Sequence, residues 1–500
     1  MRLASGVRSF RGIPYASPPL RDLRWKPPQP LAPWTGVLRA DRFQYQCMQA
    51  CQFGDMMFRS AGQSEDCLYL NVWTPPAASA NAALPVLFYI YGGGWVAGDG
   101  SEPRYDGESM AKRGIVVVTL SHRLGIFGWF SHPELTKESE ADASGNYGMM
   151  DQASALRWVH DNIAAFGGDP QMVTIAGESA GSFAVSAQMA SPMSRGLFAR
   201  AIGESGAHFG TALQLRPRAA TEKDGLAFGE AVGATTLAAL RALSATELLD
   251  ASGRAGLPRF EPNIDGAFFL KPPAEIYAVG EQAKVPLLAG WNSEEMTGHA
   301  LLPEDPTPEK ARAVLVQQFG DQAAEAEKFY PLGSAEQVTQ SLTDLASDRF
   351  LGYSTWKWIE EHARTSGRPV YRYLYAHPRP APVDSGAAAH HAGGIVRNGP
   401  GAAPAPLPTG AVHSAEIEYA LGNLSRNPVF AWTPDDYEVS ETMQGYFANF
   451  IKTGDPNGAG LPKWPSGAVT NGGAQRIRID MKTRAEAEPR GRYLFLDSSK

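Results

Sequence analysis

The stretch Val173-Thr-Ile-Ala-Gly177-Glu178-Ser179-Ala180-Gly181 decides the reading of this chain. Val173–Ala176 is short and apolar, which predicts a buried strand, and a helical pattern runs from about Ser179 to Met189. Between them, Gly177 to Gly181 matches G-x-S-x-G, a turn from strand into helix. So tight a turn leaves no room for side chains on either flank of the serine, and glycine stands at both. The strained serine then projects its hydroxyl over the sheet edge, and the N–H of Ala180 opens the helix N-terminus. In a chain with 52 glycines the bare pattern arises easily. Its setting between strand and helix is what marks Ser179 as a nucleophile. Gly203-Glu-Ser205-Gly-Ala207 looks similar but lacks the second glycine, and reads as a strand end followed by a turn.

Outward from this turn, strand-like and helix-like runs alternate. Val86–Tyr91 ends in Gly92-Gly-Gly94, and Ile115–Leu120 ends in a polar turn. A helix is predicted from about Met149 to Ala165, with Leu156, Val159 and Ile163 three and four residues apart, stopped by Gly167-Gly-Asp-Pro170. Further strands are expected at Arg200–Ile202, Val285–Ala289, Val370–Tyr375 and Arg492–Leu496. Nearly all-apolar short strands separated by helices predict an α/β protein with a large, mostly parallel sheet covered on both faces. Residues from about 215 to 365 read as a helix-rich insertion. The Ala-, Pro- and Gly-rich residues 376–412 read as a long loop.

Composition bounds the function. At 500 residues and 43% hydrophobic content the chain buries a large core, and 19% charged residues with eleven tryptophans exclude wholesale disorder. The formal net charge of −7 gives no general reason to bind nucleic acid or an anionic membrane. No apolar run approaches the ~20 residues of a membrane helix. The N-terminus has no apolar signal-like segment, which fits a cytoplasmic protein or an exported one without its signal. Cys47, Cys51 and Cys67 lie close together and are either buried thiols or one disulfide with a thiol left over; their spacing does not choose. With no CxxC pair and no nearby histidine, a zinc site is not expected.

A serine nucleophile needs a cradle for the oxyanion. Tyr91-Gly-Gly-Gly-Trp95 follows a strand, and glycines let consecutive N–H groups converge on one oxygen. The expected donors are Gly93, Gly94 and Ala180. Trp95, Trp129, Phe130 and Phe209 are candidates for an apolar substrate pocket, although aromatic residues are as readily core.

These features resemble the type-B carboxylesterases, the cholinesterase-like branch of the α/β hydrolases. Phe10-Arg-Gly-Ile-Pro-Tyr-Ala16, Ser64-Glu-Asp-Cys-Leu-Tyr-Leu-Asn-Val72, Phe166 through Gly181 and Gly454-Asp-Pro-Asn457 resemble the family's signatures, in order, over almost the whole chain. The first strands look shortened, as in a truncated N-terminus. The resemblance implies one α/β-hydrolase domain over residues 1–500, with helical insertions capping an active-site gorge. It also implies the order Ser, Glu, His. Seven histidines follow Ser179. Gly410-Ala-Val-His413-Ser-Ala-Glu416 is similar to the family's histidine motif, with Ser414 where the family has glycine. His390-His391 in the same loop reads as a solvated pair. Gly290-Trp-Asn-Ser-Glu294-Glu295 resembles the segment carrying the acid and assigns Glu295, with Glu294 as the neighbour one residue away and Met296 replacing a family glycine. By the same resemblance Glu178 lies near the histidine, where its alternative is a helix-start carboxylate. Ser205 supports Glu295, and Cys47 pairs with Cys67, leaving Cys51 free.

The implied function is a serine carboxylic-ester hydrolase acting through an acyl-enzyme on a small-molecule ester, with no metal or organic cofactor. An acyltransferase using the same triad is the alternative. A non-catalytic cholinesterase-like binding protein, the third reading, usually lacks the nucleophile or base. The disulfide favours a secreted or periplasmic location.

Overall fold

The structure, a computed structural model, describes all residues except 51–52, 77, 80–81, 211, 385–386, 390–393, 398–408, 468–472 and 500. Its centre is a ten-stranded sheet. In chain order the strands are β1 (Arg8–Pro14), β2 (Tyr69–Thr74), β3 (Leu84–Ile90), β4 (Val116–Leu120) and β5 (Gly168–Glu178). They continue with β6 (Arg200–Glu204), β7 (Leu287–Asn292), β8 (Val370–Tyr375), β9 (Gln475–Ile479) and β10 (Arg484–Ala487). The spatial order is β1-β2-β4-β3-β5-β6-β7-β8-β9-β10. From β4 across to β9 every pairing is parallel, and β1, β2 and β10 are antiparallel edges.

The period-two geometry of a strand explains how one apolar run serves two cores. Val86, Phe88 and Ile90 of β3 pack with Val116, Val118, Val173 and Ile175 on one face. Leu87 and Tyr89 pack with Val117, Ala176 and Ile202 on the other. Helices cover both faces, including α1 (Tyr147–Asn162) and α2 (Ala180–Ala190), followed later by α3 (Ala335–Ser347), α4 (Tyr353–Ser366) and α5 (Pro434–Thr453).

Some expectations change. Arg492–Leu496 is not a strand but part of helix α6 (Gly491–Ser498). Tyr493, Phe495 and Leu496 are buried and Leu494 is 51% exposed; Tyr493 and Leu496, three apart, share a helical face that alternation would have split. The sheet ends instead in β9 and β10, whose Gln-Arg-Ile-Arg-Ile pattern carries arginines that pair across the strands, as Arg476 does with Glu486 at 2.7 Å. β7 runs about two residues later than expected, and it interrupts the helix-rich region, so helices before and after it flank a central strand. Within the 376–412 segment, Ala387–Ala389 and Ile395–Arg397 pair as a short hairpin. His390, His391 and Cys51 lie outside the described residues. Cys47 and Cys67 form a disulfide with Cα atoms 5.0 Å apart.

Candidate active site

Three strand ends converge on Ser179. β5 ends at Glu178, and Ser179 itself has φ 56° and ψ −126° before α2 begins. This strained backbone costs on the order of 1–3 kcal/mol. It is held by the Ser179 N–H donating to the Glu204 carbonyl at 2.8 Å, and by the Phe183 N–H donating to the Ser179 carbonyl at 3.0 Å. The flanking glycines are obligatory. A Cβ on Gly181 would lie 2.1 Å from the Ile90 carbonyl oxygen, and one on Gly177 would lie 2.6 Å from Gly181 itself.

The glycine strip after β3 lies against this turn. A Cβ on Gly92 would stand 2.9 Å from the Ser179 Cβ, and Gly93 and Gly94 have φ of 112° and 60°. The Gly93 carbonyl accepts from the Val96 and Ala97 N–H groups, both at 3.1 Å. In a trans peptide the C=O and N–H point oppositely, so these bonds aim the Gly94 N–H away from its own turn. The bond from Phe183 N–H does the same for Ala180. Arg259 donates to the Gly94 carbonyl at 3.1 Å and pairs with Glu261.

His413 and Glu295 come from loops stitched together beside β7. The Glu294 N–H donates to the Ala411 carbonyl at 2.8 Å, and Asn292 Nδ2 to the Val412 carbonyl at 2.8 Å. His413 Nε2 then lies 2.8 Å from Ser179 Oγ, and its Nδ1 lies 2.7 Å from Glu295 Oε2. The other Glu295 oxygen accepts the Asn292 N–H at 2.6 Å. Glu294 faces elsewhere and accepts from the Thr409 hydroxyl. Ser205 Oγ lies a long 3.4 Å from Glu416 Oε1, whose other oxygen accepts from Asn292 Nδ2 at 2.5 Å, so its path to Glu295 runs through Glu416 and Asn292.

Glu178 Oε1 stands 3.3 Å from His413 Nε2. Burial is the largest influence on His413 and disfavours its cation, but Glu178, Glu295 and Glu416 together prevail and raise its pKa to about 9. Burial pushes Glu178 up to about 8 and Glu416 to about 7, and lifts Glu204 well above the carboxylate range. Ser414 occupies the family's glycine position with φ 63°, and Arg379 bridges its carbonyl to Glu418.

Of the aromatic candidates, Trp95, Trp129, Phe130 and Phe209 are all buried. Trp129 donates to the Trp95 carbonyl at 2.9 Å, Phe130 packs against Trp25, Phe228 and Phe260, and Phe209 packs against Tyr277. The sequence reading did not pick out Phe350, whose ring meets the His413 ring edge-on at 5.3 Å. Phe350 sits in a one-turn π-helix, Asp348–Gly352, which no sequence signal marked. Nor did the reading assign a role to Asn292 or Glu416, although both stand inside the motifs it quoted.

A mostly parallel sheet carrying a serine on a strand–helix elbow beside a histidine–glutamate pair defines an α/β hydrolase. The chain belongs to the carboxylesterase family, whose model matches residues 1–493, and is a carboxylic ester hydrolase. It is 35% identical over 483 residues to the fumonisin B1 esterase of Sphingopyxis macrogoltabida, covering 92% of this chain and 81% of that protein. To the para-nitrobenzyl esterase of Bacillus subtilis it is 33% identical over 483 residues, covering 92% of this chain and 89% of the relative. Among solved structures, a PNB esterase superposes with a TM-score of 0.80 at 30% identity, and a Geobacillus stearothermophilus carboxylesterase with 0.80 at 29%. Each covers 99% of this chain and 96% of the other. Among the described residues no helix is long and apolar enough to cross a membrane.

Proposed function

We propose that ester hydrolysis proceeds through a Ser179–His413–Glu295 triad and an acyl-enzyme. The supporting observation is the unbroken chain of contacts, 2.8 Å from Ser179 Oγ to His413 and 2.7 Å from His413 to Glu295. His413 Nε2 accepts the serine proton as Oγ bonds to the ester carbonyl carbon, and the carbonyl π-electrons move to oxygen. The N–H groups of Gly93, Gly94 and Ala180 stabilise that oxyanion, a donor being typically worth about 3 kcal/mol. Glu295 fixes the tautomer and stabilises the imidazolium without itself taking the proton. His413 next protonates the departing alcohol, and water repeats the sequence to release the acid. Glu178 adds negative charge on the face of His413 that becomes positive.

The helix-rich residues 215–365, in this reading, roof the gorge and belong with the 376–412 loop to the same single domain. Arg259 touching Gly94 and Phe350 touching His413 support it. The Cys47–Cys67 bridge supports a secreted or periplasmic location. The test of the triad is Ser179→Ala, which should fold normally and lose about 10⁴–10⁶ in turnover. Retention of more than about a hundredth of the activity, with contamination excluded, refutes the nucleophile. Added alcohol separates the two acyl-transfer readings. A product dominated by transesterification in dilute alcohol would make the enzyme an acyltransferase.

A further inference from the structure

A cation stands at the open edge of the oxyanion strip. Gly92, Gly93 and Trp95 are buried, but Gly94 is only half-buried, and so is Ser179 between buried Glu178 and Ala180. Solvent therefore reaches the strip at Gly94 and the elbow at Ser179. The space over Gly94 is occupied by one group. A Cβ built there would meet, beyond its chain neighbours, a single heavy atom within 4 Å, Arg259 Nη2 at 3.5 Å. The Arg259 side chain is 60% exposed; Nη2 donates to the Gly94 carbonyl at 3.1 Å and Nε meets Glu261 at 3.1 Å. Among the described residues Nη1 has no hydrogen-bond partner, so its two N–H groups stay open to a ligand. Glu261 does not saturate the guanidinium. Burial raises the Glu261 pKa, and its carboxylate is pulled on by Arg216 as well as by Arg259.

Position gives this cation a task. Glu178, Glu295 and Glu416 act on His413, so the imidazole end of the site is acidic and repels an anionic substrate. Such a substrate needs a cation elsewhere to hold it. Bond lengths put the Arg259 guanidinium within about 10 Å of an oxyanion held by the Gly94 N–H. A carboxylate about three or four bonds from the ester carbonyl spans that gap. Arginine suits the role, because its fork presents several N–H donors to a planar carboxylate while keeping its charge at every working pH.

We propose that Arg259 selects esters that carry a carboxylate a few bonds from the reacting carbonyl. This deepens the triad reading above and rests on it. The carboxylate accepts from Nη1 while Nη2 keeps its bond to Gly94, so the guanidinium ties the remote end of the substrate to the strip that binds the oxyanion. A primary amide in the same place fills the space and accepts a hydrogen bond, but brings no charge. Glu261 competes for the same cation, which sets its removal apart from every packing change nearby.

The test compares monoethyl succinate with ethyl succinamate, which share a leaving group and differ by one charge, by titrating the acid released. Carboxymethyl butyrate and carbamoylmethyl butyrate place the same difference on the alcohol. On at least one arm wild type should favour the anionic ester in kcat/KM by about fivefold, the effect of one exposed ion pair. Arg259→Gln should bring that ratio to one or below, and Glu261→Gln should raise it. Damage to the fold or to the strip slows both esters of a pair together and leaves the ratio unmoved. A wild-type ratio at or below one on both arms overturns the proposal, as does a ratio that Arg259→Gln leaves unchanged or that Glu261→Gln lowers. Cleavage of none of the four esters by an enzyme whose Ser179 reacts with a phosphonate probe also overturns it. If Ser179 is unreactive toward the probe as well, the triad reading fails instead.

Discussion

Glu178→Gln should lower the pH at which activity switches on. In the proposed triad turnover requires neutral His413, and a raised histidine pKa means that the rate rises with pH through the raised value. The sequence alone suggests a limb at the ordinary histidine value of roughly 6–7. The three carboxylates around His413 move it upward, toward about 9. Glu178, 3.3 Å from Nε2, exerts the largest Coulombic pull of the three. Two unit charges at that separation interact by about 5 kcal/mol at an effective dielectric of about 20, an upper bound. Burial raises Glu178 itself to about 8, so its carboxylate is ionised for only part of the range in which His413 titrates. If about a third to a half of the interaction survives, at 1.36 kcal/mol per unit the variant's limb falls by about 1–2 pH units. The assay is kcat/KM for an uncharged ester across about pH 5–10, which reports the free enzyme's groups. Glutamine keeps the shape of the side chain, so the shift isolates its charge. A midpoint that stays within about 0.3 unit, or rises, refutes the assignment of the upward shift to Glu178.

Glu295→Gln should lower turnover strongly with little change in thermal midpoint, because the amide fills the space but cannot stabilise the imidazolium; Glu294→Gln should matter little. The reverse order of defects would transfer the role to Glu294. Ser414→Gly should stabilise the chain or leave it unchanged, by up to about 1 kcal/mol in denaturant unfolding, because relief of the φ 63° strain opposes the greater unfolded freedom of glycine. Clear destabilisation would show that the serine hydroxyl contributes more than its backbone costs. Thiol titration of unfolded, unreduced protein should find one free thiol among three cysteines. Reduction should lower the melting temperature, the loop between cysteines 20 residues apart being worth about 3 kcal/mol. Three free thiols would remove the bridge.

The elbow was legible because its chemistry is local. The clash that a Cβ on Gly177 or Gly181 would create depends on backbone a few residues away and on the end of β3, so spacing alone expresses it. The same holds for β3, β4 and the Val173–Ala176 part of β5, whose two buried faces demand nearly uninterrupted apolar runs, while β8 admits Arg372 because Glu360 and Glu488 pair with it. β9 was missed because it lies next to the sheet's last strand, where arginines satisfied by Glu486 and Asp480 replace apolar side chains. Tyr493 to Leu496 was misjudged because four residues cannot separate a period of two from one of 3.6. Phe350 and Arg259 reach the site from opposite parts of the helix-rich region. Nothing in their neighbourhoods signals a destination determined by tertiary packing.

The charge distribution links the elbow to the loop that carries His413. Glu178, Glu204, Glu295 and Glu416 are all buried around or behind one imidazole. Four buried anions beside a single cation would be prohibitively unfavourable, so the cluster retains protons on its most shielded members, Glu204 above all, whose two oxygens find no donor among the described residues. Glu295 differs from them in being fully partnered: one oxygen accepts the Asn292 N–H and the other meets His413. The site thus holds a doubly hydrogen-bonded carboxylate at Nδ1 and one whose pKa burial raises near Nε2. In the proposed mechanism, when Ser179 gives up its proton, the new imidazolium forms between two carboxylates already within 3.3 Å of its nitrogens.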